Sequence, residues 1–235
     1  MNLRNENKSK LVEKVFNEVY DKYDLMNDIM SLGTHRKWKK NLVYWLNPLK
    51  NNRIIDVASG TGDMAKLCSE HSSNKCSITC VEPNKKMFEE GKKKLKYFNN
   101  IKWEEAPAEN LPFENNSFDY YIISFGIRNV SNFDKSLDEA YRVLKNGGRF
   151  FCLEFSKVEN EIIKNIYNEY SKIIPLIGKL IAGSEMPYRY LTESIKEFYN
   201  QEDLLKKIEN KGFVNTKYRN LSNGIAAIHT GWKIE

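Results

Sequence analysis

Apolar residues recur at three- and four-residue spacing through Leu11, Val12, Val15, Phe16, Val19, Tyr20 and Tyr23. That is one face of an amphipathic helix. A second helix is predicted over 35–46, ending before Asn47-Pro48. The period then changes. Residues 53–58 form a short apolar run stopped by Ser59-Gly60, the pattern of a strand buried in a parallel sheet. Further strands are predicted at 77–82, 101–105, 118–124 and 148–155. Helical patterns lie between them at 63–68, 84–97 and 133–144. The alternation predicts an α/β fold, a mostly parallel sheet with helices on both faces.

Beyond Phe155 the alternation lapses. Residues 159–181 read as an amphipathic helix interrupted at Pro175 and Gly178, and 201–211 as another stopped by Gly212. Two β-like runs, 213–221 and 225–234, flank Ser222-Asn223-Gly224, an Asn-Gly hairpin signal. No internal repeat or long linker is visible. The expectation is one domain: a helical cover (1–50), a core (51–158), a helical insertion forming a second cover (159–199), and a closing helix and hairpin (200–235).

Composition changes little in this picture. A chain of 235 residues buries roughly 70–75% of its unfolded surface, so its core needs no staple. The 41% hydrophobic and 29% charged fractions are those of a globular protein. Cys68, Cys76, Cys80 and Cys152 have no CxxC spacing, which argues against zinc and for reduced, buried thiols of a cytoplasmic protein. The net charge of +6 is compatible with an anionic lipid surface. Clusters such as Lys92-Lys93-Lys94 read more simply as solvated helix faces. No basic helix carries interleaved aromatics, so nucleic acid is not an expected partner. The N-terminus lacks the pattern of a signal or transit peptide. The most apolar stretch, 173–183, is broken by Pro175 and Lys179 and is far short of the ~20 residues of a spanning helix.

The chemistry starts at Asp56-Val-Ala-Ser-Gly60-Thr61-Gly62-Asp63. A strand, a glycine turn and a helix place backbone N–H groups and a helix N-terminus beside a ligand. Gly60 and Gly62 permit close backbone approach. Glu82, 20 residues after Gly62, can accept hydrogen bonds from both hydroxyls of a ribose. The turn also satisfies the dinucleotide pattern Gly-x-Gly-x-x-Ala with a following acid, so an NAD-dependent oxidoreductase stays open. Asp56, four residues before Gly60, resembles instead the Asp-x-x-x-Gly-x-Gly of class I methyltransferases. A cationic sulfonium and amino group suit Asp56 and Asp63, whereas a pyrophosphate would be repelled by them.

Two longer runs carry a more specific resemblance. They are Tyr23-Asp-Leu-Met-Asn-Asp-Ile-Met-Ser-Leu-Gly-Thr-His-Arg-Lys-Trp38 and Arg142-Val-Leu-Lys-Asn-Gly-Gly-Arg-Phe-Phe-Cys-Leu-Glu-Phe155. With Ala108-Glu-Asn-Leu-Pro-Phe113, Ser124-Phe-Gly-Ile-Arg-Asn-Val130, Tyr188-Arg-Tyr-Leu-x-Glu-Ser194 and Gly224-Ile-Ala-Ala-Ile-His-Thr-Gly-Trp-Lys233, they resemble the ubiquinone/menaquinone biosynthesis C-methyltransferases of the UbiE type. The resemblance implies a Rossmann-like class I methyltransferase fold with a seven-stranded sheet ending in an antiparallel hairpin. It implies S-adenosylmethionine as cofactor and a polyprenylated quinol as substrate. It also implies a quinone-biosynthesis assembly, room for an oligomer, and peripheral contact at the inner face of a membrane.

Carried over by position, Thr61 is expected at the cofactor's methionine end, Glu82 at the ribose, Pro107 and Ala108 along the adenine, and Ser124 in the pocket wall. Two positions depart from the family: Glu82 replaces an Asp, and Pro107 replaces an Asn or Asp. Proline offers no side-chain acceptor and no N–H, so the adenine amine contact passes to backbone groups or Glu109. Pro107 alone motivates a third reading, a non-catalytic subunit with a degenerate site.

The family's reaction needs a ring carbon made nucleophilic by loss of a neighbouring phenol proton, so the reduced quinol is the expected acceptor. No metal is expected, because a sulfonium is already activated. Arg128 is expected to enter the crevice and stabilise a phenolate, and Asn129 to orient a hydroxyl or a water. Arg128 pairing structurally with Asp134 is the alternative. Tyr23, Asn27 and His35 come from the N-terminal cover. His35 is a candidate base, since an unperturbed imidazole titrates at ~6.5; capping a helix is its alternative, and packing in the core is Tyr23's. His71 is expected to be solvated and His229 structural. Leu176, Ile177, Leu180, Ile181 and Met186 are expected to offer an apolar groove to the isoprenoid tail.

Overall fold

The computed structural model describes residues 3–235, with side chains described for 8–180 and 183–235. Three helices come first: α1 (Leu3–Val19), α2 (Tyr23–Ser31) and α3 (His35–Leu46). The core follows as β1 (Arg53–Val57), α4 (Asp63–His71), β2 (Ser77–Val81), α5 (Lys85–Lys94), β3 (Ile101–Glu104), β4 (Phe118–Ser124), α6 (Phe133–Val143) and β5 (Leu144–Phe155). The chain closes with α7 (Glu161–Ala182), α8 (Met186–Glu197), α9 (Gln201–Glu209), β6 (Val214–Leu221) and β7 (Ala226–Trp232).

The seven strands lie in the order β3-β2-β1-β4-β5-β7-β6. β1 pairs in parallel with β2 and β4, and β4 with β5, while β7 runs antiparallel to β5 and β6. The order reverses between β1 and β4. That switch point opens a crevice at the carboxyl ends of those strands, where open α/β sheets bind ligands. The alternation of side chains makes two cores. Ile54, Ile78, Ile122 and Phe151 pack toward Trp38, Leu42, Met64 and Tyr188. Ile55, Tyr121, Ile123 and Phe150 pack toward Leu137, Ala140, Val143 and Leu204. Asparagine starts four of the helices. The Oδ1 atoms of Asn84, Asn132, Asn160 and Asn200 accept backbone N–H groups in the first turns of α5, α6, α7 and α9. All four cysteines are free and buried.

Three local expectations are corrected. The first apolar face does not continue as one helix through Tyr23. A 3₁₀ turn at Tyr20–Lys22 re-aims the chain, and Tyr23 enters the crevice as the first residue of α2. α7 is not interrupted at Pro175 or Gly178. Proline removes one intrahelical hydrogen bond without ending this helix. Gly178 exists for packing: a Cβ there would lie 2.2 Å from Cδ2 of Tyr188, so its absence lets α8 seat against α7. β5 starts earlier than predicted, at Leu144, with a register shift against β4 between Phe118 and Tyr120. The hairpin at Ser222-Asn223-Gly224 takes three successive left-handed residues, with φ of 47°, 56° and 90°.

Candidate active site

β1 ends at Val57, and Ala58 then takes a left-handed φ of 52°, which turns the chain under the crevice. Gly60 (φ 57°) forms its floor, where a Cβ would come to 3.4 Å from Cε of Met87 and 3.5 Å from Cε1 of Tyr23. Gly62 (φ 85°) faces away. A Cβ there would lie 2.6 Å from Cδ1 of Leu95 and 3.1 Å from the Trp103 ring. Of the two glycines, Gly60 is the one that lines the crevice. Gly62 instead lets the turn pack on α5 and β3, which corrects the role expected of it.

Glu82 follows β2 and grips the turn. Its Oε2 accepts the Gly60 N–H at 2.8 Å and its Oε1 accepts the Asn84 N–H at 2.9 Å. Burial raises its pKa to about 7 despite those two bonds. Each oxygen keeps a second lone pair, and Glu82 lines the crevice. Further out, Pro83, Pro107, Ala108 and Val130 provide apolar walls for a flat ring. Glu109 also lines this part, but its Oε1 is taken by the N–H groups of Ser131 (2.6 Å) and Asn132 (2.9 Å).

A small chamber continues inward from Tyr23 and Ala58, bounded by Lys39, Asp56, Thr61, Asp63 and Ser124. Oδ2 of Asp56 and Oγ of Ser124 are buried there with no hydrogen-bond partner among the described residues. Burial raises Asp56 to about 7, against the pull of the Lys39 charge. Asp63 is different. Burial opposes its ionisation, yet Lys39 at 2.8 Å and Lys94 at 3.0 Å hold it well below the usual carboxylate range. Asp63 is thus already neutralised, and Asp56 is the free acid of the chamber. Burial also pushes the Tyr23 phenol up to about 12, so this hydroxyl keeps its proton and acts as a donor.

These features fit S-adenosylmethionine. Asp56 and Ser124 present unpaired acceptors to an ammonium group, Lys39 stands near for a carboxylate, Glu82 offers lone pairs to a ribose, and the apolar slot suits an adenine.

The opposite wall is the turn after β4. Phe125 has a left-handed φ of 57°, and Gly126 touches Ala58 so closely that a Cβ would lie 2.6 Å from the alanine's own. A 3₁₀ turn, Ile127–Asn129, follows. Asn129 lines the crevice. Its Oδ1 accepts the Tyr190 hydroxyl at 3.0 Å, and its Nδ2 donates to the Phe125 carbonyl at 3.4 Å. Arg128 does not enter the crevice as expected. It lies behind it, where Nη1 donates to Glu154 at 2.5 Å and to the Phe125 carbonyl at 2.9 Å. It lines a second cavity with Lys8, Tyr190 and Phe198. Glu154, not Asp134, is its partner; Asp134 lies 3.8 Å from Lys211. Lys8 of α1 donates to the backbone carbonyls of Arg128 and Val130, tying the N-terminal cover to this turn.

His35 is also placed away from the crevice. Its Nε2 lies 2.9 Å from Asp28, which Arg36 also engages. Burial and the nearby Lys39 charge lower its pKa. His71 is exposed. His229 donates to the Gln201 carbonyl at 2.9 Å, and burial pushes it down to about 4.

The sequence reading missed Glu154, Tyr190, Lys39 and Lys8. Two of them left a signal. Glu154 is a charge inside the apolar run 150–155, where a lone acid needs a partner. Lys39 follows His35 and precedes Leu42 on the inward face of α3.

The chain matches the ubiE/COQ5 methyltransferase family over residues 2–233. It is 49% identical over 233 residues to the ubiquinone/menaquinone biosynthesis C-methyltransferase UbiE of Brucella suis biovar 1, covering 97% of this chain and 87% of that one. The UbiE of Brucella anthropi is 48% identical, with 97% and 89% covered. Among solved structures, a SAM-dependent methyltransferase from Thermotoga maritima superposes with a TM-score of 0.66 at 20% identity, covering 94% and 99% of the two chains. A Haemonchus contortus phosphoethanolamine N-methyltransferase bound to S-adenosylhomocysteine gives 0.62 at 12% identity, covering 84% and 52%. The crevice at the β1/β4 switch point, the fold around it and these likenesses agree: the chain belongs to the ubiE/COQ5 methyltransferase family and is a class I S-adenosylmethionine-dependent methyltransferase.

Proposed function

We propose that the protein methylates a ring carbon of a polyprenylated benzoquinol or naphthoquinol in ubiquinone or menaquinone biosynthesis. The observation that carries this reading is the pairing of a chamber in which Asp56 and Ser124 are unpartnered among the described residues with the Asn129 amide lining the adjoining crevice. When bound, S-adenosylmethionine supplies an electrophilic methyl group. The chain's own residues hold donor and acceptor in line. Asn129 offers an N–H to the quinol oxygen. Tyr23 offers a phenolic O–H and, with its pKa of about 12, leaves the proton abstraction to other groups. Arg128 stands behind Asn129 and favours a phenolate through space, its charge tempered by Glu154. The phenol proton passes to a solvent water, which carries it out of the crevice. Val12 and Phe16 of α1 cover the crevice and exclude bulk water.

Peripheral contact with a lipid surface fits the same reading. Ile162, Ile166, Ile173, Leu176 and Leu180 are exposed along α7, Ile162 at 72% and Leu180 at 79%. Their three-, four- and seven-residue spacing makes one outward stripe. The groove expected for the isoprenoid tail is thus replaced, for Leu176 and Leu180, by this stripe. Ile177 packs inward, and the Ile181 side chain lies outside the described residues. Among the described residues no helix is long and apolar enough to cross a membrane. The stripe also offers a face to another protein of a quinone-biosynthesis assembly or to a second copy of the chain.

The test is turnover of a demethylated quinol with S-adenosylmethionine under dithionite, with the product identified by mass spectrometry. Methylation is expected only while the acceptor stays reduced. Equal rates with the oxidised quinone would rule the mechanism out, and saturable binding of NAD in place of S-adenosylhomocysteine would rule out the cofactor.

A further inference from the structure

We infer that Tyr190 is a positioning residue that turns Asn129 into a dedicated hydrogen-bond donor toward the crevice. The inference deepens the proposed function and rests on its assignment of a quinol oxygen to that wall. A carboxamide carries an acceptor on one side and two donors on the other, so its use to a substrate depends on which way it is turned. Two contacts decide this. The Tyr190 hydroxyl donates to Oδ1 at 3.0 Å, and Nδ2 points at the Phe125 carbonyl at 3.4 Å. Turning the amide over would set Oδ1 against that carbonyl, acceptor against acceptor, and leave the Tyr190 proton without a partner. The remaining N–H of Nδ2 is then what Asn129 has to offer in the crevice it lines. A donor fixed in advance gains strength as charge develops on the acceptor oxygen.

Tyr190 is itself held. It lies on α8, whose Tyr188 is buried against Gly178 of α7 and whose Leu191 is buried in the core. Burial raises its phenol pKa, so the proton that Asn129 accepts stays in place.

The test is a double-mutant cycle in the full chain with Tyr190→Phe and Asn129→Ala. Tyr190→Phe is expected to lower kcat about 3- to 10-fold, the range for one hydrogen bond. The KM for quinol and the affinity for S-adenosylhomocysteine should stay within twofold. The double variant should be no slower than Asn129→Ala alone, because both changes remove one unit. Multiplying losses, or a Tyr190→Phe enzyme with unchanged kcat, would overturn the inference. So would a lower Tm with full turnover, which marks a structural tyrosine. A second readout does not depend on turnover. The Asn129 side-chain amide resonances, assigned by their loss in Asn129→Ala, should shift in Tyr190→Phe; unmoved signals overturn the inference. A wild-type enzyme that ignores the reduced quinol would sink the proposed function instead, with the amide signals still deciding the role of Tyr190.

Discussion

Replacing Glu82 with glutamine keeps its shape and removes its charge. In the folded chain both oxygens accept a backbone N–H, from Gly60 at 2.8 Å and from Asn84 at 2.9 Å. Glutamine has one acceptor oxygen, so its NH₂ faces one of those donors and one fewer acceptor remains for the ribose diol. A hydrogen bond to a charged group contributes about 1.5–3 kcal/mol, so affinity for S-adenosylhomocysteine should fall roughly 10- to 150-fold. The pH dependence is a sharper signature. Burial holds both Glu82 and Asp56 at about 7 in the free protein. The ligand's diol and ammonium favour the ionised carboxylates, so binding below pH 7 expels a proton from each. Wild-type Kd should therefore rise with a slope approaching two decades per pH unit at low pH, and the Glu82→Gln slope should approach one. The same shifts oppose the ligand-free fold. Folded pKa values above the unfolded ones mean that the folded chain binds more protons between about pH 4 and 7, so stability falls as pH rises through that window. Calorimetric titration from pH 5.5 to 8.5, in two buffers of different ionisation enthalpy, reads affinity and proton release together. A wild-type Kd flat across that range, or a Glu82→Gln Kd within twofold of wild type at pH 8, would refute the reasoning.

The glycines of the turn should separate. Gly60→Ala should weaken S-adenosylhomocysteine binding, whereas Gly62→Val should act on stability, since overpacking and a left-handed Cβ cost about 1–3 and 1–2 kcal/mol. A Gly62→Val protein with wild-type Tm but poor binding would contradict the packing seen here. Arg128→Met strands Glu154, and an uncompensated buried charge costs about 3–5 kcal/mol, so Tm should drop in a thermal scan. Arg128→Met combined with Glu154→Leu should recover Tm without recovering kcat; recovered kcat would remove Arg128 from the chemistry. His35→Asn should leave the pH profile of kcat unchanged, because His35 faces Asp28. Its lowered pKa means the unfolded chain binds more protons, so His35 costs wild-type stability as pH falls through the unfolded value of ~6.5. The acid limb of a Tm-versus-pH curve should flatten in the variant, and an unchanged limb would count against a buried neutral imidazole.

Much of the scaffold could be read from periodicity, because burial on both faces writes long apolar runs into β1, β4 and β5. The glycine turn was legible because strand, glycines and a downstream acid occur at fixed spacing. What each glycine does was not, since the direction of a missing Cβ depends on Leu95 and Trp103 from other elements. Arg128 and His35 were found as residues and misplaced as groups. Their partners, Glu154 and Asp28, are chosen by side-chain geometry that no spacing encodes. Tyr190 lay in a stretch singled out for its resemblance, yet its contact with Asn129 spans 61 residues and exists only once α8 has docked. Outward exposure of Leu176 and Leu180 was hidden for a related reason. An apolar stripe reads the same whether it faces a core or solvent.

The antiparallel strand β7 has a consequence for how the protein is made. β5 lies inside the sheet, yet its outer neighbour is β7, near the far end of the chain. On the ribosome, β5 emerges with one edge of N–H and C=O groups unpaired, a template for pairing with a wrong chain. Trp38 likewise waits for Ser222, 184 residues later, to receive its indole N–H. At ~5–20 residues per second the Trp38 delay is roughly 10–40 s, and that of the β5 edge, from Phe155 to Ala226, roughly 4–15 s. During the shorter of these intervals α4, α5 and α6 already precede β5 and cover the faces of a sheet that has one open side. The seven residues of β7 close that side, so their arrival ends the exposure of the β5 edge.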